Sequence, residues 1–68
     1  MKLNYYPDTD ALYIELKSTA SSNSKEVSEG LVLDFDDHGN IVGIDIQHAS
    51  KKLDLGTLET QSLPTKKN

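Results

Sequence analysis

The chain has 68 residues, no cysteine and no arginine, and eleven Asp and Glu against seven Lys give it a formal charge of −4. A domain this small buries only about 60% of the surface its unfolded chain exposes. The missing cysteine removes disulfides, thiolate metal sites and a cysteine nucleophile. An acidic chain without arginine argues against a nucleic-acid partner, which needs bidentate arginines and a basic face, and the same sign disfavours a membrane surface.

Lys2–Tyr6 is short and aromatic-rich and is followed by Pro7, which predicts a first strand stopped by proline. "PDTD" is turn chemistry: Pro presets φ, and Asp side chains bond nearby backbone N–H groups. In "ALYIEL" Leu12, Ile14 and Leu16 alternate with Tyr13 and Glu15, the period of a half-buried strand, so a hairpin is expected. The serine-dense stretch that follows predicts a mobile loop over residues 18–25. Val27, Leu31, Leu33 and Phe35 then share one parity, with Asp34 and Asp36 on the other. "DDHGN" separates them from Val42, Ile44 and Ile46. Two alternating runs around a Gly-containing turn predict a second hairpin, with Gly39 left-handed and Asp36 in the turn's first position. Ala49 and Leu53, four apart, predict a short helix over residues 49–55 with Gly56 as its stop and a weak N-terminal cap.

The expected fold class is α+β: two antiparallel hairpins forming a four-stranded sheet, then a short C-terminal helix. Residues 1–56 make one small β-rich domain and residues 57–68 a disordered or partner-ordered tail. One sheet face is apolar (Leu12, Ile14, Leu33, Phe35, Ile44, Ile46), and one short helix cannot cover it. A second copy, giving a homodimer, or a small basic protein partner is the expected supplement. No apolar run approaches the roughly 20 residues of a membrane span. "MKLNYYPDTD" lacks a signal peptide's apolar stretch, so a cytoplasmic bacterial or archaeal protein is expected.

"YYPDTDALYIEL" and "EGLVLDFDDHGNIVGIDIQHASK" together resemble the family called domain of unknown function 2283. The resemblance runs from Leu3 to about Lys51 and falls on Tyr6, Asp8, Asp10, Leu12, Tyr13, Asp34, Gly39, Gly43 and Ile44. It implies a small prokaryotic domain with no assigned activity and no catalytic residue. It also implies an encoding gene beside another small gene, hence a toxin–antitoxin-like pairing in which this chain is the neutralising member. His48 departs from the family, whose members often carry an acidic residue there.

The candidate binding residues are Tyr6, Asp8, Asp10, Tyr13, Asp34 and Asp36. Asp8 and Asp10 fit either turn capping or a cation. "DFDDHGNIVGID" imitates a calcium loop, but His stands where Asp or Asn belongs, and period-two flanks replace the helices such a loop needs. Asp34, Asp36 and Asp45 fall on the outward face of the second hairpin, where like charges repel and call for lysines, a cation or a basic partner. Tyr5, Tyr6 and Tyr13 offer either cross-strand packing or an aromatic contact surface. Two histidines with carboxylates suit zinc, but nothing in the sequence places His38 and His48 together.

The leading expectation is therefore a protein-binding or self-associating module. The alternative is a small-ligand or divalent-cation binder whose aspartates converge. An enzyme is not expected: no nucleophile–base arrangement stands out, and the chain is short for a substrate pocket of several hundred cubic ångströms. No cofactor and no metal are expected.

Overall fold

The computed structural model describes residues 1–64, so the last four residues of the expected tail lie outside the described residues. The chain forms β1 (Lys2–Tyr6), β2 (Ala11–Glu15), β3 (Asn23–Ser28), β4 (Leu31–Phe35), β5 (Ile41–Ile46) and α1 (Ala49–Lys52). The strands make one antiparallel sheet in the order β1-β2-β5-β4-β3. The α+β class and both expected hairpins are present, but the sheet has five strands, not four.

The additional strand is β3, half of which falls where a loop over residues 18–25 was expected. Its sequence, NSKEVS, is polar except for Val27 and entirely exposed. A strand at the sheet edge needs no apolar alternation, and its polar side chains, Lys25 and the irregularity between Glu26 and Ser28 discourage pairing with a further strand. The remaining loop, residues 16–22, leads from β2 past β5 and β4 to the far edge of the sheet. Val27 does not continue β4, as its parity suggested. Gly30, at φ 73°, turns the chain between β3 and β4, and its N–H donates to the Glu26 carboxylate at 3.0 Å.

Cross-strand register sorts the side chains into rows. Leu3, Ile14, Ile44, Leu33 and Lys25 lie side by side across all five strands, and Tyr5, Leu12, Ile46, Leu31 and Ser28 form the next row of the same face. This face is apolar up to the β1 edge. The opposite face carries the rows Asn4, Tyr13, Asp45, Val32, Glu26 and Lys2, Glu15, Gly43, Asp34, Ser24. Among the described residues the core is thin: Leu12, Val42 and Ala49 are the buried hydrophobics, and no large side chain is fully buried. A single sheet with one turn of helix has no second layer to enclose the apolar face. The molecule measures 36 × 30 × 19 Å, with a radius of gyration of 13.2 Å against about 11 Å for a compact domain of this length.

Helix α1 is shorter than expected. It closes at Leu53, whose N–H reaches the Ala49 carbonyl at 2.8 Å while its own backbone is extended, so Gly56 is not the stop. It is tied to the β1–β2 turn and to the β3–β4 turn. The Ala49 N–H donates to the Asp10 carbonyl at 2.8 Å, and the Lys52 ammonium donates to the Glu29 carbonyl at 3.0 Å. Residues 57–64 form neither helix nor strand.

Candidate functional site

The β1–β2 turn holds Asp8 and Asp10, and the two have different environments. Asp10 adopts the left-handed conformation at φ 55°, which a short polar side chain tolerates. Its carboxylate accepts the Tyr5 hydroxyl at 2.8 Å, the Ser50 N–H at 3.1 Å and the Ser50 hydroxyl at 2.7 Å. The weak cap anticipated for α1 is thus supplied from 40 residues away: His48 makes no side-chain cap, and Asp10 satisfies the first-turn N–H groups in its place. The Ser50 hydrogen bonds, followed by that of Tyr5, hold the Asp10 carboxyl below its ordinary range, while the same contact pushes the Tyr5 phenol up. Asp8 and Tyr6 are exposed, and neither side chain makes a hydrogen bond among the described residues.

Asp36 sits at the opposite end of the sheet, in the first position of the β4–β5 turn, as its sequence context indicated. It is nevertheless buried, not outward on the sheet face. One carboxylate oxygen accepts the N–H groups of His38 and Asn40, both at 2.9 Å, and Gly39 follows at φ 82°. These N–H groups, that of Asn40 foremost, hold its carboxyl low.

On the outer face, Tyr13 leans from β2 across β5 at Gly43, and its hydroxyl donates to Asp34 on β4 at 2.7 Å. The second Asp34 oxygen accepts the Ser24 hydroxyl of β3 at 2.6 Å. Gly43 is buried beneath the phenol; a Cβ there would overlap the hydroxyl and come within 2.6 Å of Cζ. The Asp34 hydrogen bond, with burial second, pushes the Tyr13 phenol up to about 12. Tyr13, for which the sequence offered either cross-strand packing or an aromatic contact surface, is thus half-buried across its own sheet. The register also separates the carboxylates of this face: Gly43 stands between Glu15 and Asp34, and Val32 between Asp45 and Glu26.

Asp8 and Asp10 thus lie at one end of the sheet, Asp34 on its outer face and Asp36 in the turn at the other end. Among the described residues no three His, Asp or Glu side chains gather in a way that holds a metal ion. Sequence reasoning missed Ser50 and Gly43 as partners of Asp10 and Tyr13. A glycine inside a strand pattern was the available signal for Gly43, since it marks close approach of another group. No local signal led from Asp10 to Ser50.

The apolar face is the larger feature. Leu3 and Tyr5, at 43% and 44% exposure, stand at its β1 edge. With Leu12 they form one wall of an open groove of about 910 Å³, and residues 53–59 form the other. Leu58 and Leu63, on the segment beyond α1, are 75% and 64% exposed. The strands contribute no carboxylate to this face; Asp54 and Glu59 stand on the rim of the groove. No described helix is long and apolar enough to cross a membrane.

The family model described as "Protein of unknown function (DUF2283)" matches residues 2–50, from β1 to the Ser50 that Asp10 caps. No curated protein and no solved structure matches the chain.

Proposed function

The chain belongs to the family described as "Protein of unknown function (DUF2283)", and from that premise we propose that it is a protein-binding module that associates with a second copy of itself through the apolar face of its sheet. The observation that carries this reading is the sheet's missing second layer. The accessible surface is 5533 Å², about 1300 Å² more than the roughly 4250 Å² expected of a folded chain of 7.5 kDa. A standard interface takes about 800 Å² from each partner; the open sheet face contributes to the excess together with residues 53–64, all of them exposed.

Charge favours a second copy on this face. Two chains of formal charge −4 repel, yet Glu15, Glu26, Asp34 and Asp45 all belong to the outer face. Packing apolar face on apolar face leaves those carboxylates on opposite sides of the assembly. Aligned sheets packed this way lie about 10 Å apart with interdigitated side chains.

A second contact is compatible with the first. The outer face stays exposed in such a dimer and presents its carboxylates to a small basic protein, the chemistry a neutralising member of a gene pair would use.

The test is native mass spectrometry with sedimentation equilibrium at low micromolar concentration. The expected species has twice the 7.5 kDa mass of one chain. Leu3→Glu, at an exposed position, should give a folded monomer. A wild-type chain that stays folded and monomeric at these concentrations overturns the reading.

A further inference from the structure

We infer that β1 is a pairing edge: β1 of one copy adds antiparallel to β1 of a second copy, about a two-fold axis at Asn4, and joins the two sheets into one. This contact lies in the plane of the sheet and is separate from the face-to-face packing proposed above.

The ladder fixes which backbone groups of β1 are free. In an antiparallel sheet, successive residues of a strand bond alternately to one neighbour and to the other. The Leu16 N–H donates to the Val42 carbonyl of β5 at 2.8 Å. By alternation Leu12 and Ile14 also turn their backbone groups to β5, and Ala11, Tyr13 and Glu15 turn theirs to β1. Their partners there are Tyr6, Asn4 and Lys2. The N–H and carbonyl groups of Leu3 and Tyr5 therefore point away from the sheet. Among the described residues no other segment bonds to them, residues 53–59 across the groove included.

The two edges of the sheet differ. β3 carries Lys25 in mid-strand and an irregularity against β4 between Glu26 and Ser28. β1 pairs with β2 without irregularity along its length, contains no proline, and carries its one charge, Lys2, at its first position. An edge left regular and unpaired is a template for a further strand, whereas a bulged, charged edge resists one.

The sequence of β1 selects a second copy as that strand. With the axis at Asn4, every residue of β1 faces a residue of the other β1. Leu3 stands opposite Tyr5 in both halves, and each such pair exchanges its free N–H and carbonyl groups. These are aliphatic–aromatic cross-strand pairs, and they carry the apolar rows of one sheet on into the next. The Tyr5 ring is already ordered by the bond of its hydroxyl to Asp10 at 2.8 Å. On the outer face Asn4 meets Asn4 and Lys2 meets Tyr6, so no like charges stand opposite one another although each chain carries −4. Sliding the axis to Tyr5 would set Leu3 against Pro7, which has no N–H to give. The contact is isologous and closed, and the β3 edges end the joined sheet.

The absence of cysteine allows a direct test. Asn4 faces Asn4 as a non-hydrogen-bonded pair, with Cα atoms about 4.5 Å apart, within the span of a disulfide. Full-length Asn4→Cys should form a covalent dimer in a glutathione buffer. Lys2→Cys and Tyr6→Cys, whose cysteines lie well out of register with their own copies, should not. Face packing alone cannot give this link, because it turns the outer face, and Asn4 with it, to opposite sides of the assembly. Amide exchange of the wild-type chain at NMR concentrations gives a second readout: the Leu3 and Tyr5 amides should slow by about tenfold or more as concentration rises. Slowed amides and the Asn4 link in a species of two chains support the edge contact and remove the face contact; the same signs in a species of four chains support both. Leu3 and Tyr5 amides that exchange freely overturn the edge contact, and if the chain is still a dimer, face packing stands. Slowed amides without the Asn4 link overturn the two-fold at Asn4. A wild-type monomer at every concentration overturns both contacts.

Discussion

Substituting Gly43 by Ala tests the outer-face network without touching either hydrogen-bonding partner. The new Cβ would occupy the place of the Tyr13 hydroxyl and crowd Cζ at 2.6 Å, so the phenol must swing away from β5. Its hydrogen bond to Asp34, 2.7 Å and half-buried, is then lost. Hydrogen bonds to charged groups contribute about 1.5–3 kcal/mol. The lower end applies here, because Asp34 keeps the Ser24 hydroxyl and is open to water. Loss of the ring's contact with the sheet adds about 1 kcal/mol, and replacing a strand glycine by alanine returns roughly 0.5–1 kcal/mol. The net cost of Gly43→Ala is about 2 kcal/mol.

Tyr13→Phe removes only the hydroxyl and costs about 1.5 kcal/mol. Were the two sites independent, the double variant would lose about 3.5 kcal/mol, since distant effects add to within about 0.3–0.5 kcal/mol. If the ring has already left, removing its hydroxyl costs nothing further, and the double variant resembles Gly43→Ala alone. The assay is urea unfolding of all four proteins at one concentration, with matched mass verified by sedimentation. A double variant near the additive value would refute the placement of Tyr13 over Gly43. A spectrophotometric titration adds an independent readout: the phenol raised to about 12 should return towards the ordinary value of 10 in Gly43→Ala.

Because the Tyr13 phenol is raised in the folded chain, its stabilisation is complete below the unfolded value of about 10 and is lost as pH rises towards about 12. Wild type should therefore lose more stability than Tyr13→Phe across that window, read from urea midpoints. The Asp10 and Asp36 carboxyls are lowered, so their stabilisation is present above the unfolded carboxylate value and is lost as pH falls through their folded ones. Asp10→Asn, which tolerates the left-handed backbone, should flatten the acid limb of an unfolding titration and speed amide exchange at Ser50; unchanged exchange there would remove Asp10 as the cap. Gly39→Ala meets no neighbouring atom but must hold φ 82°, so it should cost about 1–2 kcal/mol in urea midpoints, with Gly39→Asn costing less. Equal costs would show that the turn relaxes.

The sequence was most legible where side chains alternate against a buried face. Leu12 and Ile14, Leu31 and Leu33, and Ile44 and Ile46 mark β2, β4 and β5 because those strands lie in the middle of the sheet and can bury one face only in that pattern. β3 lacks the signal because it is an edge strand whose hydrogen bonds go to β4 while every side chain meets water. A polar strand and a polar loop differ in backbone pairing, which composition does not record. The Asp36 turn was readable because its acceptor and donors lie within four residues. Asp10 was readable as turn chemistry but not as a helix cap, because its partner is 40 residues distant and is brought close only by the β2–β5 pairing.

That long-range cap bears on why the family match ends where it does. The β1–β2 turn, β2, β5 and the first turn of α1 form one closed circuit: β2 pairs β5, β5 leads into α1, and α1 returns to the turn through Asp10 and Ser50. All four members make these contacts within residues 2–50, the residues the family model matches. Residues 53–64 stand outside that circuit. Their backbone makes one local turn, and although Leu58 lines the groove, Leu58 and Leu63 stay 75% and 64% exposed. Were the proposed self-association to bury them, each leucine would contribute about 1.5–3 kcal/mol. The sheet sets the shape of the apolar surface, and residues 53–59 form the far wall of the groove at its β1 edge.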